Sequence, residues 1–195
     1  FYPIVSRQVL RSMAKAKYSE TPIGHYGLAL ENYAHFTSPI RRYPDLTIHR
    51  ILSDVVTQKR SPSDVKKRYS EFVGKSANAS TEAEIAAMKV ERDCEDCYKA
   101  EYMESHVGES FDGMITSVTS FGFYVGLPNT VEGLVRIEDL ADGQYQYDGL
   151  MELKEIHTGK AFRVGDAVRV TCSGVDVNAG NIDFVPAEPE SCENG

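Results

Sequence analysis

The hydrophobic period of this chain changes once, near Gly108, and that change restricts the possible folds more than any other feature. Before it, apolar residues recur at helical spacing. Val5, Val9, Met13 and Ala16 form one such pattern, which stops at the turn Thr21-Pro22-Ile23-Gly24. Tyr26 to Leu30 reads as a short extended stretch. Ser38-Pro39 reads as a helix start running toward Val56, because serine caps well and proline suits the first helical position; Pro44 would then kink it. Ser61-Pro62 opens another helix to Val73, and Thr81 with Glu84 forms a capping box for a long helix through Ile85, Met88, Cys94, Cys97 and Tyr102. After Gly108 the period falls to two: Met114–Thr119, Phe121–Val125, Val131–Ile137, Ala167–Cys172 and Asn181–Val185 read as strands. The chain is therefore expected to be α+β, a mostly helical half followed by five short strands whose glycine-containing turns suit a small closed barrel.

Charge follows the same division. The net charge of -8 argues against nucleic-acid binding, yet residues 1–60 hold nine basic against four acidic side chains, while residues 108–195 hold five against fifteen. No apolar run approaches the roughly 20 residues of a membrane helix. Four cysteines without a secreted spacing pattern suit a reducing cytoplasm. Cys94 and Cys97 form a C-x-x-C, but no second pair completes a zinc site, and Glu91, Asp93, Glu95 and Asp96 read chiefly as a solvated acidic face. No serine or cysteine motif accompanies His25 or His49, so neither is assigned a role.

Ser38-Pro39-Ile40-Arg41-Arg42 is the chemically loaded segment. At a helix start, two arginines face the positive end of the macrodipole, at a cost of about 0.3–1 kcal/mol each. Either they present charge to an anion, for which a helix N-terminus already supplies free donors, or they form a surface pair bridged to Asp45. The longer string Gly24-His25-Tyr26-Gly27-Leu28-Ala29-Leu30 with Tyr33-Ala34-His35-Phe36-Thr37-Ser38-Pro39-Ile40-Arg41-Arg42-Tyr43-Pro44-Asp45-Leu46, preceded by Arg11-Ser12-Met13, resembles the signature of the ribonuclease II / ribonuclease R (RNB) family of processive, hydrolytic 3′→5′ exoribonucleases. By that resemblance Arg41 is catalytic, beside the scissile phosphate, Arg42 binds RNA next to it, and Glu91 lies near the terminal nucleotides. Tyr43 and His35 are packing or supporting residues. The resemblance also implies Mg2+ held by aspartates from an earlier part of the RNB domain. No such run occurs here, so the ligands are expected outside this chain, and the chain alone is expected to be inactive.

Gly113, the run Thr119-Ser120-Phe121-Gly122-Phe123-Tyr124-Val125, Glu132-Gly133-Leu134-Val135 and Val164-Gly165-Asp166-Ala167-Val168 resemble an S1 domain, a five-stranded barrel of the oligonucleotide-binding (OB) type. The resemblance places Phe121, Tyr124, Arg136, Asp176 and Asn181 on its RNA-binding face; Asn181 departs from the usual basic residue there. Strand alternation puts Phe123 inside if its neighbours face out. The expected organisation is thus 1–107 as the C-terminal part of an RNB catalytic domain, 108–185 as the S1-type barrel and 186–195 as a disordered tail. The first residue, Phe1, suggests a piece of a longer chain. The expected partner is single-stranded RNA, with no membrane and no obligate protein partner, and the chain is expected to be a cytoplasmic monomer. Two alternatives stand beside the nuclease: a non-catalytic RNA-binding module, and a barrel that binds basic proteins through its acidic half.

Overall fold

The computed structural model describes residues 6, 9–10, 12–140 and 143–187. Residues 14–90 form one compact unit; the described residues between 91 and 187, with those before 14, form the other. Of the first apolar pattern, Val9 is helical, Val5 lies outside the described residues, and the helix does not extend to the expected turn: Met13 is a bend and Ala16 has no regular structure.

In the first unit, His25 to Leu30 is a compact turn rather than an extended stretch. A single 3-10 turn, Tyr26–Leu28, is closed by Ala29 in the left-handed region, and the His25 ring accepts a bond from Leu28 N at 3.2 Å. Helix α1 spans Tyr43–Val56, so it begins four residues later than Pro39. The reason is Pro44. In a helix starting at Pro39 it would lack the N–H owed to the carbonyl four residues back, whereas within the first turn that N–H has no helical partner to lose. Helix α2 is one continuous element, Pro62–Glu104, of which residues 62–90 belong to this unit and residues 91–104 to the second. Thr81 is in its interior and caps nothing: its hydroxyl bonds back to the Ala77 carbonyl at 3.0 Å and accepts from the Tyr18 backbone N–H at 3.0 Å. The two helices meet through Thr47 and Ser76 hydroxyls 3.3 Å apart, and through Tyr69, which donates to Asp54 at 3.2 Å.

The second unit is built on a closed barrel in the order β1-β2-β3-β8-β7, with β1 Ser110–Thr119, β2 Gly122–Gly126, β3 Glu132–Arg136, β7 Ala167–Asp176 and β8 Asn181–Pro186. All pairings are antiparallel except β3 with β8, where Leu134 meets Asp183 and Val135 meets Phe184. The interior holds Ile115, Val118, Phe123, Val125, Val135, Val170, Ile182 and Phe184, with Ile115 and Val118 both inward because the β1 register shifts between Ile115 and Ser117, and the end of α2 adds Ala100 and Met103. Each such side chain contributes about 1.5–3 kcal/mol when fully buried. Gly122 has φ 150°, and a Cβ there would strike the Val135 carbonyl, so only glycine permits this approach of β2 to β3. Pro186 belongs to β8 and pairs with Val170; residues 188–195, most of the expected tail, lie outside the described residues.

Between β3 and β7 the chain forms a second, three-stranded antiparallel sheet that the sequence reading did not anticipate: β4 Tyr145–Tyr147, β5 Glu152–Glu155 and β6 Ala161–Arg163. It is anchored by Leu153, which is fully buried, and by Phe162, whose ring stacks on Phe123 at 4.7 Å. Its turns are closed by carboxylates. Asp148 accepts from the backbone of Leu150, Met151 and Glu152 at 2.8–3.0 Å. Glu155 accepts from the Thr158 hydroxyl and backbone, and these bonds hold its carboxyl at about 2, well below its ordinary value.

Candidate nucleic-acid interface

Two surfaces carry the residues singled out above, one in each unit. In the first, residues 39–41 form a turn before α1, closed by Arg41 N and Arg42 N donating to the Ser38 carbonyl at 3.2 and 3.0 Å. Arg42 is the N-cap of α1, and the two arginines have different surroundings. Arg42 reaches forward to Asp45, with Nε at 3.3 Å and Nη2 at 2.9 Å from Oδ2. Arg41 is exposed, and its guanidinium has neither hydrogen bond nor ion pair among the described residues. The bridge to Asp45 left open by the sequence therefore exists, but Arg42 forms it. Asp45 also takes the Ser38 backbone N–H at 2.7 Å. Burial pushes its carboxyl up, but the Ser38 N–H and the Arg42 guanidinium outweigh burial and hold it below the usual carboxylate range.

The nearby histidines serve structure. His49 bonds to the Phe36 carbonyl at 2.8 Å and stacks on the Phe36 ring at 4.3 Å. His35 meets the Tyr18 hydroxyl at 3.3 Å, and Tyr18, partly buried and bonded to Glu84, is pushed up to about 12. Tyr43 is half exposed, with Arg50 over its ring.

On the barrel, Ser120 and Phe121 form the two-residue turn between β1 and β2, leaving Phe121 53% exposed at its tip. Phe123 is fully buried and Tyr124 half-buried, as alternation requires. Register then assembles one outward face: Tyr124 beside Leu134, Leu134 beside Asp183, and Arg136 beside Gly122, adjoining Phe121. Asp183 was not foreseen. It pairs with Arg136 at 3.1 Å and so offsets part of the charge on this face. Its outward position was legible from the alternation with buried Ile182 and Phe184, but the pairing arises only from the parallel β3–β8 closure. Asp176 and Asn181 are register partners flanking the β7–β8 turn, and Asp176 Oδ1 accepts from Ala179 N at 3.0 Å, closing that turn. Glu91 is exposed on α2. Among the described residues no three His, Cys, Asp or Glu side chains are placed to hold a metal ion, so the donors here do not fit the magnesium site the resemblance implies.

A closed OB-type barrel with solvent-facing aromatic and guanidinium groups, following a helical unit with an unpaired arginine on a proline-bounded turn, is the build of a nucleic-acid-handling protein. Comparison with known proteins makes this specific. Residues 1–58 match the RNB domain family and residues 104–185 match the S1 RNA binding domain family. Ribonuclease R 1 of Lactococcus lactis subsp. lactis (strain IL1403) is 40% identical over 188 residues, covering 95% of this chain and 23% of that protein. Ribonuclease R of Aquifex aeolicus (strain VF5) is 45% identical over 177 residues, covering 90% and 25%. The structure of Mycoplasma genitalium RNase R in complex with ribose methylated single-stranded RNA superposes with a TM-score of 0.87 at 29% identity, over 95% of this chain and 29% of that one. The chain belongs to the ribonuclease II / ribonuclease R family, and it spans about a quarter of the length of the curated relatives it matches.

Proposed function

We propose that this chain is part of a hydrolytic 3′→5′ exoribonuclease that degrades single-stranded RNA to 5′-mononucleotides, with residues 1–107 completing an RNB catalytic domain and residues 108–185 gripping the substrate. The observation that carries this reading is the unpaired, exposed Arg41 on the turn that the family signature defines. A preorganised guanidinium beside the scissile phosphate stabilises charge developing on its oxygens without reorganisation during the reaction. Glu91 would stand near the terminal nucleotides. Phe121 and Tyr124 would stack on bases whatever the sequence, Arg136 would meet phosphate or a base face, and Asp176 with Asn181 would border the same surface. Magnesium would be held by residues outside this chain, and this chain alone would bind RNA without cutting it.

The surface of the first unit supports membership in a longer polypeptide: Ile40 is fully exposed, Tyr26 is 94% exposed, and Leu28, Leu30 and Phe36 are each about half exposed. Apolar patches of this kind ordinarily face another part of a protein. A cytoplasmic monomer is the expected state of the whole. The test is Arg41→Ala in the full-length enzyme: single-turnover hydrolysis of a 3′-labelled oligoribonucleotide should fall roughly 10²–10³-fold while RNA affinity changes little. Unchanged turnover would remove Arg41 from the site and the reading with it.

A further inference from the structure

Asp45 is fully buried, and one of its oxygens is crowded while the other is empty. Oδ2 accepts three N–H groups, from Ser38 backbone N at 2.7 Å and from Arg42 Nη2 at 2.9 Å and Nε at 3.3 Å, whereas Oδ1 has no hydrogen-bond partner among the described residues. For stability alone this is a poor arrangement, because a buried ion pair with an unsatisfied oxygen is commonly matched or bettered by apolar residues of the same volume. What it does achieve is geometry. The Ser38 peptide is held at both ends, its N–H by Asp45 and its carbonyl by the amides of Arg41 and Arg42. The Arg42 side chain is folded back onto the same carboxylate oxygen. Between these fixed points only Arg41 leaves the turn with its guanidinium uncommitted.

We propose that Asp45 is a positioning residue for Arg41. It touches no RNA, and it acts by locking the Ser38–Arg42 turn from beneath so that Arg41 is aimed and Arg42 is kept from competing with it. This rests on the reading of Arg41 as the phosphate contact. Displacement of a catalytic group by about 1 Å can cost on the order of 10²-fold in rate, so a change at Asp45 that loosens the turn should be felt in turnover and not in binding.

The experiment is a double-mutant cycle in the full-length enzyme, comparing wild type, Asp45→Asn, Arg41→Ala and the double variant by single-turnover rate at saturating enzyme and by RNA affinity without metal. Asp45→Asn should lower the rate about 10- to 100-fold with affinity within about twofold, and in the Arg41→Ala background the same change should alter the rate by less than about twofold. An equal loss in both backgrounds, or no loss in either, overturns the proposal. If Asp45→Asn does not fold, Arg42→Lys enters the same cycle: it keeps the charge and gives up the paired N–H groups, and its loss must likewise vanish without Arg41. If Arg41→Ala alone leaves turnover intact, the functional reading fails first. The positioning claim is then decided in this chain by amide exchange at Ser38, Arg41 and Arg42, which Asp45→Asn should accelerate and which, if unchanged, refutes it.

Discussion

Phe121 and Phe123 are two residues apart, of the same chemistry, and should respond oppositely to truncation. Phe123 is fully buried, and its ring stacks on Phe162 at 4.7 Å with 24° between planes. The site has little freedom to collapse, since the neighbouring Gly122 already lies against the Val135 carbonyl. Truncation to alanine should therefore cost about 4–5 kcal/mol, the upper part of the range for buried phenylalanine. Set against a total of about 5–15 kcal/mol for a domain, this is a large fraction, and at 4–8 °C per kcal/mol the melting point should fall by about 15–40 °C. Phe121, more than half exposed at the tip of the β1–β2 turn, should change stability by no more than about 0.5 kcal/mol. If it stacks on a base, its loss should weaken single-stranded RNA binding by about 1–3 kcal/mol, or roughly 5- to 150-fold.

The chain has no tryptophan, so unfolding is best followed by far-ultraviolet circular dichroism in urea and with heat, and binding by anisotropy of a labelled oligoribonucleotide. Phe121→Ala as destabilising as Phe123→Ala would refute the alternation on which the whole face depends. Phe121→Ala with full stability and unaltered RNA affinity would refute the binding role alone.

Asp183→Asn should free the Arg136 guanidinium, 3.1 Å away, raising RNA affinity a few-fold and steepening the slope of log K against log salt by about 0.7; an unchanged slope would mean Arg136 faces no phosphate. For Glu155 the sign is fixed by its lowered pKa: with the folded carboxyl at about 2 against an ordinary 4.5, it stabilises the fold above the ordinary value and loses that contribution as pH falls toward 2. Urea denaturation across a pH series should find Glu155→Gln less stable than wild type at pH 7 and the two converging near pH 2, and parallel curves would contradict this. At Gly74, inside α2, an added Cβ meets only the carboxylate end of exposed Glu20, so Gly74→Ala should stabilise the first unit by up to about 1 kcal/mol in thermal melts. A loss instead would show that Glu20 cannot move aside.

The five barrel strands were legible because each is a short run rich in β-branched and aromatic residues bounded by turn residues, and alternation places Phe123 with Val125 inside; a register shift between Ile115 and Ser117, which no alternation shows, puts both Ile115 and Val118 in the core. The small sheet was not, since β4 to β6 are three or four residues each and include Gln146, Glu152, Lys154 and Glu155, residues with little strand preference of their own. Their pairing is imposed by Leu153 and Phe162 packing on the barrel, which no local window contains. Thr81 was misread for a related reason: threonine caps helices, but here a Tyr18 N–H from 63 residues away takes the hydroxyl. At the site, local sequence identified the two arginines and Asp45 as a group. It could not decide which arginine Asp45 would hold, because residues three and four apart both share a helix face, and the outcome turned on where Pro44 set the helix start.

That outcome bears on how an acidic chain could handle RNA at all. Residues 108–195 carry fifteen acidic against five basic side chains, and the Arg136 cation on the barrel's outward face is paired with Asp183. Under the proposed function, the barrel's grip must therefore come chiefly from stacking on Phe121 and Tyr124, which is tolerant of base identity. Charge is concentrated instead in residues 1–60, where Asp45 ties down Arg42 and leaves Arg41 uncommitted. Under that proposal, a weak, sequence-blind hold on one surface and a fixed cation on the other suit an enzyme that must let its substrate advance by one nucleotide after every cut without letting it go. A strongly basic barrel would bind RNA more tightly and let it advance more slowly. Adding positive charge to the barrel face should accordingly raise affinity while lowering the steady-state rate of nucleotide release.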